Sequence, residues 1–196
     1  MRRVIKTFAL VVSTFFAISL YAQNSRFTPL DKSPMDQSYY PVNYPILKIQ
    51  LPPDKASTLE PLVARVIYSR PQKNGRTVFG ELVEYGQVWR MGANEATEID
   101  FYKDVKIGGK KIKKGRYTAY ALVNQDKWTI ILNSDTDTWG AFKYDEKKDV
   151  VRVDVPVQKN TEQVEAMTIQ FEKDGAGFNM VVAWDEILVK LPISLL

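Results

Sequence analysis

Residues 167–184 read Met167-Thr168-Ile169-Gln170-Phe171-Glu172-Lys173-Asp174-Gly175-Ala176-Gly177-Phe178-Asn179-Met180-Val181-Val182-Ala183-Trp184. On either side of the Asp-Gly-Ala-Gly turn, large apolar residues recur at every second position: Met167, Ile169 and Phe171 before it, Phe178, Met180, Val182 and Trp184 after it. A period of two means a strand with one face in a core. Two such runs about a glycine-rich turn predict an antiparallel hairpin.

The same period recurs outward from this hairpin. Leu47, Ile49 and Leu51 alternate with Lys48 and Gln50, and Thr97, Ile99 and Phe101 with Glu98 and Asp100. Val151, Val153, Val155 and Val157 form one face, and Ile187, Val189, Leu191 and Ile193 another. Tyr117–Val123 and Trp128–Leu132 are apolar on both faces, which predicts central strands. Gly108-Gly109 and Asn124-Gln125-Asp126 are hairpin connections, and Asp145–Asp149 precedes the valine strand. No stretch has the pattern of a normal amphipathic helix; Val78–Val83 has room for a turn or two. About ten short antiparallel strands predict an all-β fold, a β-sandwich of Greek-key, immunoglobulin-like type. Gly115-Arg116-Tyr117 resembles the tyrosine corner of such sandwiches, whose phenol bonds back to upstream backbone; Ala119 stands where an immunoglobulin domain would have cysteine.

Met1–Ala22 reads as a signal peptide: Arg2, Arg3 and Lys6, an apolar run Phe8–Leu20, then Tyr21-Ala22. Cleavage near Ala22 predicts a periplasmic or secreted chain. Residues 23–45, with Pro29, Pro34, Pro41 and Pro45, read as an extended polar leader, and residues 46–196 as a single domain. Tyr39, Tyr40 and Tyr44 suggest that the second half of the leader lies on the domain. The whole chain holds 27 Lys+Arg against 23 Asp+Glu; three of those bases lie in the signal, leaving a balance of 24 to 23. The basicity is therefore a targeting feature and gives no support to a nucleic-acid partner. No second apolar run suffices for a transmembrane helix in the mature chain.

The sequence has no His and no Cys. That excludes disulfides, a lipid-bearing cysteine, the usual zinc, haem and iron–sulfur ligand sets and any Ser-His-Asp or Cys-His pair. No G-x-S-x-G or S-x-x-K occurs. No metal and no cofactor is expected. Asn133-Ser134-Asp135-Thr136-Asp137 matches the start of a calcium loop but has Thr138 in place of glycine and Tyr144 in place of the closing glutamate, so a polar turn is expected. Gly175-Ala176-Gly177 lies between strands, outside a dinucleotide-binding context.

The middle of the chain carries a dense run of motifs: Tyr68-Ser69-Arg70-Pro71, Gly75-Arg76, Phe79-Gly80, Val83, Tyr85-Gly86, Val88-Trp89-Arg90 and Gly92-Ala93-Asn94-Glu95-Ala96-Thr97. Ile107-Gly108-Gly109-Lys110, Gly115-Arg116-Tyr117, Trp139-Gly140-Ala141 and Tyr144-Asp145 follow. In order and spacing this resembles the DUF2911 family, a domain of unknown function in exported bacterial proteins, mainly of Bacteroidetes, over residues 64–191. The resemblance implies an exported domain with no established activity and supplies no catalytic residues.

Within that run, Trp89–Thr97 leads from strand to strand through a Gly-Ala-Asn turn able to present Arg90, Asn94 and Glu95 at the rim of a sandwich. Arginine offers a planar fork for carboxylate or phosphate, asparagine both donor and acceptor, and Trp89 a flat face. Arg70 and Arg76 lie in another connection that could converge there; Tyr85 and Trp139 complete the candidate ligand site. Two readings stand side by side: a small polar ligand site, or an Arg90–Glu95 ion pair pinning a loop over a buried Trp89. Either predicts Arg90, Asn94 and Glu95 in one hydrogen-bonded cluster. Trp128 and Trp184 are in phase with core faces, whereas Trp139 is the best placed for an exposed ring. The leading function is a non-catalytic binding module of the periplasm or envelope for a small polar ligand or an envelope protein. The alternatives are a His-independent hydrolase using carboxylates among Glu81, Glu84, Glu95, Glu98 and Asp100, and a structural envelope protein pairing through a sheet edge.

Overall fold

The structure, a computed structural model, describes residues 27–196. The expected signal peptide, and the start of the leader, lie outside the described residues. Asp31–Leu196 form one compact unit. Its strands are β1 (Met35–Tyr40), β2 (Ala64–Ser69), β3 (Val88–Trp89), β4 (Glu98–Phe101), β5 (Val105–Ile107), β6 (Lys110–Ile112), β7 (Gly115–Val123), β8 (Lys127–Asn133), β9 (Asp149–Pro156), β10 (Gln158–Asp174) and β11 (Gly177–Leu195). One sheet runs β1-β2-β4-β7-β8-β9, with β3 also on β7; the other runs β10-β11-β5-β6. Every pairing between these strands is antiparallel. The fold is all-β and sandwich-like.

The alternating faces meet between the sheets. Val66, Ile99, Phe101, Ile130 and Leu132 from one sheet and Met167, Ile169, Met180, Val182, Leu191 and Ile193 from the other are buried in one cluster. β7 and β8 are central, as their two apolar faces require. Their outer residues Tyr120 and Ile131 form a second cluster with Ala96, under Val88, Ala141 and Tyr144. Tyr117 donates its hydroxyl to the Lys113 carbonyl at 2.8 Å, so the corner forms as expected. Gly108 and Gly109, at φ 56° and 79°, make the two-residue β5–β6 turn, which needs left-handed backbone at both positions.

Three expectations are corrected. The stretch with Leu47, Ile49 and Leu51 is not a strand: Tyr44–Gln50 is an α-helix, with Pro45 in its first turn. Its alternation misled because no core receives it; Ile49 is 81% exposed. Val78–Val83 forms turns closed by Val83 N–H donating to the Val78 carbonyl at 2.8 Å, not a helix. The strands are not all short, since β10 and β11 have 17 and 19 residues. β11 joins the two runs after Gly177 across a change of phase, from even-numbered to odd-numbered buried positions. Asp185, at φ 55°, absorbs that change opposite register shifts in β10, as a bulge does. The sheet also begins inside the 23–45 stretch: β1 pairs residue for residue with β2. Met35–Tyr40 has no apolar period to announce it, because an edge strand is held largely by its backbone.

Candidate functional site: an arginine-lined cavity beside Trp89

β3 brings Trp89 against Ala121 of β7 and drives its ring into an aromatic group. Trp89 stacks on Trp184 at 6.0 Å between centroids and meets Trp128 edge-on at 5.8 Å and Phe79 edge-on at 6.3 Å. Offset and edge-on arrangements suit the ring quadrupoles. The indole N–H of Trp89 donates to the Gly92 carbonyl at 3.2 Å, which ties the following loop to the ring.

That loop is shaped by backbone. Met91, fully buried, has φ 54° and Asn94 φ 59°. Gly92 passes so close to β2 that an added Cβ would lie 3.0 Å from the Ser69 carbonyl oxygen. Thr97 closes the loop twice, its N–H donating to the Arg90 carbonyl at 3.1 Å and its hydroxyl to the Met91 carbonyl at 2.7 Å.

Arg90 leaves the aromatic group half-buried, and its Nε is buried with no hydrogen-bond partner. No described carboxylate lies within ion-pair distance of it. Burial holds its guanidinium below the usual arginine range. It borders a cavity of about 190 Å³ together with Ser33, Arg76, Trp89, Gly92 and Trp184; two arginines and no acid line this space. Arg76 is oriented by donating Nε to the Lys73 carbonyl at 2.9 Å and a terminal nitrogen to the Gln72 carbonyl. The Lys73 segment is itself anchored, its ammonium meeting Asp185 at 2.6 Å. Burial pushes the Asp185 carboxyl up, but the hydrogen bonds from Lys73 and Gln163, with the Lys73 charge, outweigh it and hold it below its ordinary value.

A neighbouring cavity of about 270 Å³ shares Leu82, Val83, Trp89 and Arg90 with the first and adds Glu84, Gln87, Val88, Ala141 and Phe142. Arg90 is thus common to both walls.

The expected Arg90–Asn94–Glu95 cluster does not form. Among the described residues no hydrogen bond or ion pair joins the three side chains. The left-handed turns at Met91 and Asn94 send Arg90 inward and leave Glu95 exposed. Glu95 instead bridges to Trp139 through the backbone and lines a separate cavity of about 300 Å³ with Met35, Ile67, Glu98 and Asp137. Trp139 is 61% exposed there, as its position suggested. Glu98 in that cavity is committed: it accepts the Asp137 N–H at 2.7 Å and lies 3.3 Å from Arg116. Asp100 is likewise held by Arg65 at 2.7 Å. Arg70 does not converge on the arginine cavity. It donates to the Met167 carbonyl at 3.0 Å, the Thr168 hydroxyl at 2.8 Å and Asp36 at 3.0 Å, tying the two sheets together. Tyr85 lies beside Gly80, outside these cavities. The Asn133–Asp137 turn is held by its own polar contacts, including Arg116 on Asp137 at 2.6 Å.

The sequence reading thus found Arg76, Trp89 and Arg90 but not Leu82, Phe142 or Trp184 as their neighbours. Trp184 was expected in the core, where it is, at 1% exposed, while its edge also borders the cavity. Nothing in the spacing of Leu82 or Phe142 could have joined them to Arg90. No curated protein and no solved structure matches the chain. The sequence pattern of one family, described as "Protein of unknown function (DUF2911)", matches residues 52–193, which takes in every residue of the arginine cavity except Ser33. The chain belongs to the DUF2911 family.

Proposed function

We propose that this domain is an exported, non-catalytic binding module of the periplasm or envelope, and that its ligand is a small anion held between Arg90 and Arg76. Arg90, half-buried and without a counter-charge on the wall of an acid-free cavity, carries this reading. Half-burying an arginine without a partner is unfavourable, because it gives up part of its hydration and gains no counter-charge. A carboxylate or phosphate would supply the missing counter-charge, and the planar fork of Arg90 suits either. The faces and edges of Trp89 and Trp184 would bound the ligand without competing for its charge, since their N–H groups already donate to the Gly92 and Glu165 carbonyls.

The test is thermal unfolding of the protein beginning at Gln23, with and without acetate, phosphate and sulfate. At a hundredfold excess over its dissociation constant an anion is expected to add about 2.7 kcal/mol of stability. Arg90→Gln should abolish that gain. A wild-type midpoint that no anion moves would sink the proposal.

A further inference from the structure

The two cavities that share Arg90 differ in character. On one side are Arg76, Ser33 and the backbone of Gly92. On the other, Val88, Ala141, Leu82 and Phe142 supply an apolar floor and rim, with the exposed Glu84 and Gln87 at its edge. Phe142 is 84% exposed and Leu82 44% exposed, so two large hydrophobic side chains stand in solvent at the mouth of the same space. Adjacent exposed hydrophobes of this kind mark a surface that something covers. Acetate or phosphate would fill only the arginine side, and pockets for organic ligands run to about 300 Å³ or more.

Resting on the anion reading above, we propose that the ligand is an amphiphilic monocarboxylate, with its carboxylate on Arg90 and its hydrocarbon tail across the shared wall against Leu82, Val88 and Phe142. A single negative charge matches the site. Among the described residues Arg90 alone has a guanidinium nitrogen buried without a partner, whereas Arg76 already spends two of its nitrogens on the Lys73 and Gln72 carbonyls. The tail gains by leaving water, and it covers hydrophobic surface that the fold itself leaves bare.

Quenching of tryptophan fluorescence reports on this space, because Trp89 and Trp184 both line it. Titration of the protein beginning at Gln23 with acetate, octanoate and 1-octanol tests head and tail separately. Octanoate is expected to bind at least about tenfold more tightly than acetate, since only part of the tail can be buried. Octanol, which lacks the charge, should bind at least about tenfold more weakly than octanoate. Phe142→Ser should bring octanoate to within about threefold of acetate. Arg90→Gln should remove the preference for octanoate over octanol, and Arg90→Met, a second neutral replacement, serves if that variant fails to fold. Equal affinity for acetate and octanoate would overturn the amphiphilic ligand and leave the anion site standing. Octanol binding as tightly as octanoate would overturn it too, by showing that the head is not read. If neither carboxylate binds, the amphiphilic ligand falls, and the anion reading then stands or falls with phosphate and sulfate in the thermal test.

Discussion

Arg70 and Arg90 each follow the end of a strand on the same sheet, and they have opposite fates. Arg70 leaves β2 and spends its guanidinium on three acceptors: the Met167 carbonyl, the Thr168 hydroxyl and Asp36. Arg90 leaves β3 and its Nε finds none. The first is a bolt between β1, β2 and β10. The second buries one nitrogen with no return inside the fold, which is what the proposed ligand site requires and a structural contact does not. The lesson is that an arginine's role is read from its accounted donors, not from its neighbours in sequence.

Three substitutions would sharpen or break that contrast. The largest loss of stability is expected from Arg70→Met, about 2 kcal/mol, because it strands the Met167 carbonyl and Thr168 and removes an ion pair that solvent partly screens. Chemical denaturation measures it; a loss below about 0.5 kcal/mol would mean that Arg70 is no bolt. Tyr117→Phe is intermediate and calibrates a single satisfied hydrogen bond. Losing the phenol donor to the Lys113 carbonyl should cost about 1 kcal/mol by the same measurement. A neutral outcome would remove the corner's role in stability. Arg90→Met should have the smallest effect, within about 0.5 kcal/mol of wild type or slightly stabilising, since no carboxylate is stranded and a half-buried charge is relieved. A loss as large as that for Arg70→Met would turn Arg90 into a structural residue and erase the contrast.

The Glu95–Trp139 side makes the same point from the acidic end. Glu95, Glu98 and Asp137 line one cavity, so the carboxylates close in sequence are partly close in space. Yet Glu98 already receives the Asp137 N–H and faces Arg116, and Asp100 is bound by Arg65. Their donors and counter-charges are supplied by the protein, unlike those of Arg90. This is why the arginine cavity, though smaller, is the stronger candidate.

Much of the fold could be read directly. Strands β4, β7, β8, β9, β10 and β11 announce themselves because a side chain must alternate between core and solvent along extended backbone, and the sequence obeys that period. The Gly108-Gly109 and Asp174–Gly177 turns were legible because few residues other than glycine and its small polar companions suit left-handed backbone. Where a core partner was missing, the same rule misled. Leu47, Ile49 and Leu51 alternate yet lie in and beside a helix with no buried residue. β1 was illegible because its pairing with β2 uses backbone groups, which every residue has.

The sequence by itself determined which chemistry was available: no His, no Cys, and a charged fork at Arg90 next to Trp89. It also determined that the strands would form a two-layered β fold, since alternation fixes which face seeks a core. Only the tertiary structure decided where the charges went. The loop of eight residues between Trp89 and Glu98 can turn its side chains to either side, and the choice follows from φ at Met91 and Asn94. Those angles are set by contacts remote in sequence: Gly92 against the Ser69 carbonyl, Thr97 closing on Arg90 and Met91, and Asn94 accepting the Gly140 N–H at 2.9 Å. Each links residues that only packing brings together, so Arg90 and Glu95, five positions apart, finish in different cavities.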